Sequence, residues 1–249
     1  MRKDTFDFES VFEPNDYVYF YQDALTIERT KKEVNFLVKE LKLKKTMRIL
    51  DLACGHGRHT NRLAELGYNV TGIDITKGFL DIALKEAKQK KLPVKYIRQD
   101  MREINYTNKF DRILFLFTAF GYFDDETNLK VLNNIARALK RNGLLCFDIP
   151  NRDGLMKILL PSVVVEKGND LMIDIHNFDS VSGRLYNKRI VIRDGKRKEK
   201  PFFVRLYSAT EIRDILSKVG MKIVKIFSYW NSKPFTSESK RMIIIAKKI

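Results

Sequence analysis

Residues 47–60, MRILDLACGHGRHT, constrain this chain more than any other stretch: an apolar run closes on an acid, two glycines flank a turn, and a helix follows. Ile49, Leu50 and Leu52 show no alternating polar face, which predicts a strand buried on both sides, as in a parallel sheet. Gly55 and Gly57 free the backbone for a sharp turn and remove side chains. Main chain can then approach a ligand while the helix from Arg58 turns its free amides towards it. Together these elements predict a nucleotide-type site. The same pattern also describes a plain glycine turn, so the downstream strands have to decide.

At 249 residues the chain fits one large α/β domain, or one domain carrying an insertion, and 44% hydrophobic with 31% charged residues makes it globular. The opening MRKDTFDFES lacks the apolar core of a secretory signal, and no apolar run approaches the ~18 residues of a membrane span; a cytoplasmic protein without a membrane partner is expected. Cys54 and Cys146 have no metal-ligand spacing and read as reduced thiols, and with three histidines no metal site is expected. Forty-seven basic against 31 acidic side chains give +16, a field that reaches roughly 8 Å at physiological salt and makes RNA an alternative partner. The lysines of KELKLKK (39–45) and KEAKQKK (85–91) read equally well as solvated helix faces, and DGKRKEK (194–200) as a hairpin tip.

In chain order, the aromatic residues 1–22 predict an irregular or short helical cover, followed by an amphipathic helix over 26–43. After the glycine turn a short helix is stopped by Gly67, and a strand ends on Asp74. Thr76 is placed to cap the next helix, which Pro93 prevents from continuing. A third strand from Val94 ends at Asp100 and Met101, and FDRILFLF (110–117) forms a fourth. Asp124 or Asp125 caps a helix that Gly143 stops, and the fifth strand runs 144–149. This alternation is the pattern of repeated β-α-β units. Residues 152–207 instead read as an inserted antiparallel sheet with turns at 182–183 and 194–195. A capping box at Ser208 and Glu211 opens a final helix before two last strands.

Ligands of such sheets lie beyond the carboxyl ends of the strands, where Asp51, Asp74 and Asp100 fall together. Asp74 sits about 20 residues past the glycines, the place of a ribose-binding carboxylate in NAD enzymes. Against NAD, Thr60 occupies the third glycine position and Asp51 puts negative charge beside a pyrophosphate pocket. A cationic ligand suits the acids better.

The constellation resembles the class I S-adenosylmethionine-dependent methyltransferases: ILDLACGHG fits their first motif, GIDI the second, RQDM the third, FDRILFLF the fourth and LLCFDI the fifth. The resemblance implies a Rossmann-like seven-stranded sheet with helices on both faces, its final strand antiparallel, formed by residues 1–151 and 208–249, with 152–207 as a small β lid. It implies S-adenosylmethionine as cofactor, held by Asp51, Ala53, Cys54, Gly55, Gly57, Asp74, Ile75, Asp100, Met101 and Phe117. Ala53 replaces the first glycine of the commoner three-glycine turn.

The lid and the N-terminal tyrosines favour a small enclosed acceptor, methylated on N or O and lined by Tyr17, Tyr21, Phe120, Tyr122, Asn151, Arg152, Arg205 and Tyr207. The arrangement is similar to glycine and sarcosine N-methyltransferases, although the arginine that grips their substrate carboxylate is Pro150 here. No catalytic base is assigned: His59 reads as structural and His176 as a sheet residue. An RNA methyltransferase and a non-catalytic cofactor-binding protein are the alternatives.

Overall fold

The computed structural model describes residues 6–249, so the first five residues of the cover expected over 1–22 lie outside it. Helices α1 (Phe8–Val11) and α2 (Pro14–Tyr21) form the rest of that cover, and α3 (Ile27–Glu40) leads into β1 (Arg48–Leu52). Then follow α4 (Arg58–Glu65), β2 (Asn69–Asp74), α5 (Lys77–Gln89), β3 (Lys95–Arg98), β4 (Phe110–Phe115), α6 (Asp125–Ala138) and β5 (Leu139–Pro150). The chain continues through α7 (Arg152–Met156) into β6 (Ser162–Lys167), β7 (Asp170–Asp179), β8 (Arg184–Arg193) and β9 (Lys196–Arg205). It ends with α8 (Ala209–Lys218), β10 (Met221–Phe227) and β11 (Arg241–Lys248).

The main sheet has seven strands in the order β10-β11-β5-β4-β1-β2-β3. Strands β1 to β5 pair in parallel, and β11 runs antiparallel to both β5 and β10. Alternate residues feed two cores. Leu50, Leu52, Ile113 and Phe115 pack with α6 and α8, while Ile49 and Leu114 pack with α3 and α4. Burial on both faces is why these strands are apolar throughout rather than alternating. Strand order reverses between β1 and β4, and this switch point opens a crevice at the strand ends.

Strands β6 to β9 form a separate antiparallel sheet inside the stretch expected as an insertion. Its last hairpin turns on Asp194 and Gly195, both at positive φ (50° and 70°), the conformation that a two-residue Asp-Gly turn supplies. Asp124 is the cap of α6, and Ser208 and Glu211 form the expected capping box.

Two local expectations are corrected. Thr76 occupies the cap position of α5 but makes no cap bond; its amide and hydroxyl turn to Asp74 instead. Gly143 does not stop α6, because the chain becomes extended at Leu139 and β5 begins there, with a register shift opposite Phe110 and Arg112. Gly143 instead sits tight against the carbonyl of Lys140, 2.8 Å from where a Cβ would stand.

Candidate functional site

One cavity collects the ends of β1, β2, β3 and β4 under the N-terminal helices. Its floor is the turn after β1. Ala53 there holds φ 54°, a left-handed conformation that costs a residue with a Cβ about 1–2 kcal/mol. This accounts for glycine being the commoner residue at that position of the motif. The Gly55 amide donates to Asp74 Oδ2 and the Thr76 amide to Oδ1, both at 2.8 Å. Asp74 therefore staples the turn to β2 and, with about four lone-pair sites, keeps accepting capacity for a ligand. Burial raises its pKa, against the pull of those two amides.

The two glycines do different work. No atom stands within 4 Å of a Cβ built on Gly55, which lines the cavity. A Cβ on Gly57 would lie 2.3 Å from the Tyr96 hydroxyl and 2.7 Å from Ala83 Cβ, and Gly57 does not line the cavity. The expectation that Gly57 meets a ligand gives way to packing of the α4 start against α5 and β3.

Asp51 is buried beneath the turn, accepting from the Thr60 hydroxyl at 2.5 Å, and burial raises its pKa. At the far end Asp100 accepts from the Arg102 amide (2.8 Å) and guanidinium (Nε at 2.9 Å), and Arg102 lies over the Phe123 ring at 4.8 Å. Burial opposes the Asp100 charge, but Arg102 outweighs it and holds the carboxyl below its ordinary value. Cys54, Ile75 and Met101 complete this wall, the Cys54 thiol being pushed up by burial.

The loop after β4 closes the cavity. Phe117 and Thr118 both hold positive φ (58° and 61°), consecutive strained residues of the kind that need surrounding structure to fix them. Arg29 and Arg58 flank the Phe117 ring at 5.5 and 5.4 Å, and both guanidiniums bond Glu33, which also meets His59 Nε2 at 2.8 Å. Burial works against the Glu33 charge, yet His59 and Arg58 hold its carboxyl far below the usual range. On the other side Arg241 donates to the Thr118 hydroxyl (2.8 Å) and to Asp148 (2.7 Å).

Tyr17 and Tyr122 line the cavity, and burial pushes both phenols well up, so they stay protonated at neutral pH. His56 lines it too, beside Tyr17 and Phe79; burial lowers its pKa to about 4 and keeps the ring neutral. Tyr21 stands behind Tyr17 (ring centroids 4.7 Å) and its hydroxyl accepts from Arg189 at 3.0 Å.

Five expected acceptor residues lie elsewhere. Phe120 stacks on Tyr207 in the core (5.3 Å), and the Tyr207 hydroxyl meets Asn128. Asn151 is buried against the Ser239 carbonyl, and Arg152 and Arg205 both bond Glu211 (2.8 and 2.6 Å). These residues join the roots of the second sheet to α8 instead of facing the cavity. His176 meets the Leu160 carbonyl, also away from it.

Sequence reasoning missed Glu33, Arg29, Arg58, His56, Phe8, Phe12 and Arg241. The i,i+4 spacing of Arg29 and Glu33 was a usable signal for one ion pair. Nothing local links Arg241 to Thr118.

The open cradle at Gly55, the lone pairs left on Asp74 and the apolar wall of Ile75 and Met101 fit an adenosyl cofactor with a hydroxylated ribose. A family model described as a methyltransferase domain matches residues 49–143. YqeM of Bacillus subtilis (strain 168), named as a methyltransferase, is 25% identical over 217 residues, covering 84% of this chain and 87% of its own. A glycine/sarcosine N-methyltransferase of Halorhodospira halochloris is 31% identical over 131 residues, 51% of this chain and 49% of that one. The crystal structure of an S-adenosylmethionine-dependent methyltransferase from Clostridium acetobutylicum ATCC 824 shares the fold, with a TM-score of 0.79 at 23% identity over 94% of this chain and 98% of that one.

Proposed function

The chain belongs to the class I S-adenosylmethionine-dependent methyltransferases, and from that premise we propose that it methylates a nitrogen or oxygen of a small-molecule acceptor. The observation that carries this reading is the roof: Phe8, Phe12 and Tyr17 from the N-terminal segment cover part of the cavity that Asp51, Asp74 and Asp100 line. A cavity partly roofed by aromatic rings selects small acceptors by shape. The likeness to a glycine/sarcosine N-methyltransferase supports the same class.

In this reading Ala53, Cys54 and Gly55 cradle the methionyl part of the cofactor, Asp74 accepts from the ribose, Ile75, Asp100 and Met101 meet the adenine, and Phe117 covers the reacting end. Bound there, S-adenosylmethionine would supply a methyl activated by its sulfonium, with a neutral thioether as the leaving group. The chain contributes orientation, which is worth up to about 7–11 kcal/mol when reacting groups are held in line. Tyr17 and Tyr122 remain protonated and serve as hydrogen-bonding groups for the acceptor rather than as bases.

The test is incubation with methyl-labelled S-adenosylmethionine and a cell extract divided into metabolite, RNA and protein fractions. Label is expected in the metabolite fraction. Label confined to RNA or protein overturns the acceptor class, and no transfer to any fraction favours a binding role alone.

A further inference from the structure

Helix α2 is fastened to one neighbour and merely rests on the other. Asp16, only 7% exposed, accepts from Lys200 Nζ at 2.9 Å and from Arg193 Nη1 at 3.1 Å, and Lys200 is itself 4% exposed. Both cations belong to the second sheet, on β9 and β8. Three more ties run the same way. The Tyr21 hydroxyl accepts from Arg189, which Asp174 fixes through two bonds of 2.8 Å. Tyr19 exchanges hydrogen bonds with Lys167, hydroxyl to carbonyl at 3.3 Å and ammonium to carbonyl at 3.1 Å. Phe20 packs among Met172, Val191 and Val165.

Towards the seven-stranded sheet the contacts of α2 are of another kind. Tyr17 meets Phe79 edge-on at 5.1 Å and His56 at 6.2 Å, and Pro14 lies over Gly78. Among the described residues α2 makes no hydrogen bond or ion pair to that side. Directional bonds fix one element on another, whereas an apolar seam separates and re-forms without leaving unpaired charges. The connection to α3 begins with the exposed residues Gln22, Asp23 and Ala24, and the Ala24 carbonyl accepts from Arg29 of α3 at 2.9 Å, a solvent-facing bond at the hinge of α2.

We propose that Asp16 is a positioning residue: it ties α2 to the second sheet, whose roots Arg152 and Arg205 hold to α8 through Glu211, so that Tyr17 stays over the cavity and cofactor release waits on α2 lifting across the apolar seam. This rests on the cavity being the cofactor site. Asp16 acts through the helix and touches no reactant.

The experiment measures S-adenosylhomocysteine dissociation by surface plasmon resonance, together with amide hydrogen exchange, for Asp16→Asn and for Asp16→Asn/Lys200→Met. The double variant removes both buried charges, so no lone charge remains to unfold the protein. Both are expected to release the ligand about tenfold faster, and amides 15–21 to exchange about tenfold faster, with β1 and β4 protected as before. Asp16→Glu is expected to restore most of both. Folded variants whose dissociation rate stays within about twofold of wild type overturn the proposal, as does faster α2 exchange with unchanged ligand kinetics. A wild-type protein that binds no S-adenosylhomocysteine overturns the cofactor-site reading and this proposal with it, a result distinct from either.

Discussion

Replacing Gly57 by alanine should cost the protein stability and leave its cofactor affinity nearly intact. Two penalties act together. At φ 77° a Cβ costs about 1–2 kcal/mol by backbone sterics alone. The added methyl also meets the Tyr96 hydroxyl at 2.3 Å and Ala83 Cβ at 2.7 Å, an overpacking of the kind that costs about 1–3 kcal/mol. At about 2–4 °C per kcal/mol for a chain of this size, the melting temperature should fall by roughly 4–20 °C. Tyr96→Phe removes the nearer clash, at the loss of the 2.6 Å bond from that hydroxyl to Asn61. In that background the same substitution should therefore cost about 1 kcal/mol less, a coupling readable in a double-mutant cycle. Gly55→Ala is the contrast, since its Cβ meets no protein atom and projects towards the cavity; there affinity for S-adenosylhomocysteine should drop about tenfold or more. Thermal unfolding and calorimetric titration of the four variants separate the two roles. A Gly57→Ala protein that melts like wild type but binds S-adenosylhomocysteine more than about tenfold weaker would refute the reasoning.

Asp74→Ala removes the acceptor for the Gly55 and Thr76 amides and, under the proposed reading, for the ribose. Loss of hydrogen bonds to a charged group at about 1.5–3 kcal/mol predicts a dissociation constant for S-adenosylhomocysteine roughly 10- to 150-fold higher, and unchanged affinity by calorimetry would overturn the site assignment. His56 gives a pH dependence. Burial lowers its pKa from 6.5 to about 4, so the unfolded chain takes up the proton first and stability falls as pH drops through that window. His59, lowered in the same sense by burial, remains in both proteins, while Asp51 and Asp74, raised by burial, act oppositely at its acid end. Melting temperatures of His56→Gln should therefore decline less than those of wild type between about pH 6.5 and 5, and parallel slopes would show that His56 stays protonatable in the fold.

What the sequence disclosed was whatever is fixed within a few residues. An apolar run ending in an acid places Asp51, Asp74 and Asp100 at strand ends, and Ser208 with Glu211 announces a helix start, because each pattern is closed by its own neighbours. The role of Gly57 depends on Tyr96, which no local spacing connects to it. Arg205 and Tyr207 read as acceptor residues from their place after the insertion, yet Glu211 draws Arg205 away and Phe120 takes the Tyr207 ring. The clamp on Phe117 and Thr118 joins α3, α4, β5 and β11, and its members become partners only once the sheet order is fixed.

The surplus of +16 belongs to the surface rather than to the cavity. Each guanidinium that comes near the cavity already bonds a carboxylate: Arg58 and Arg29 share Glu33, Arg102 holds Asp100, Arg241 holds Asp148 and Arg189 holds Asp174. Five guanidiniums thus face four carboxylates, a near balance that leaves only a small net field for a ligand beside them. Under the proposed reading, what remains for an acceptor is hydrogen bonding from Tyr17 and Tyr122 and the shape set by the aromatic residues of the cavity. Selectivity of that kind distinguishes size and hydrogen-bonding pattern rather than total charge. The lysines that dominate the composition thus bear on encounters at the surface, and under the proposed reading the choice of acceptor rests on how the N-terminal segment covers the cavity.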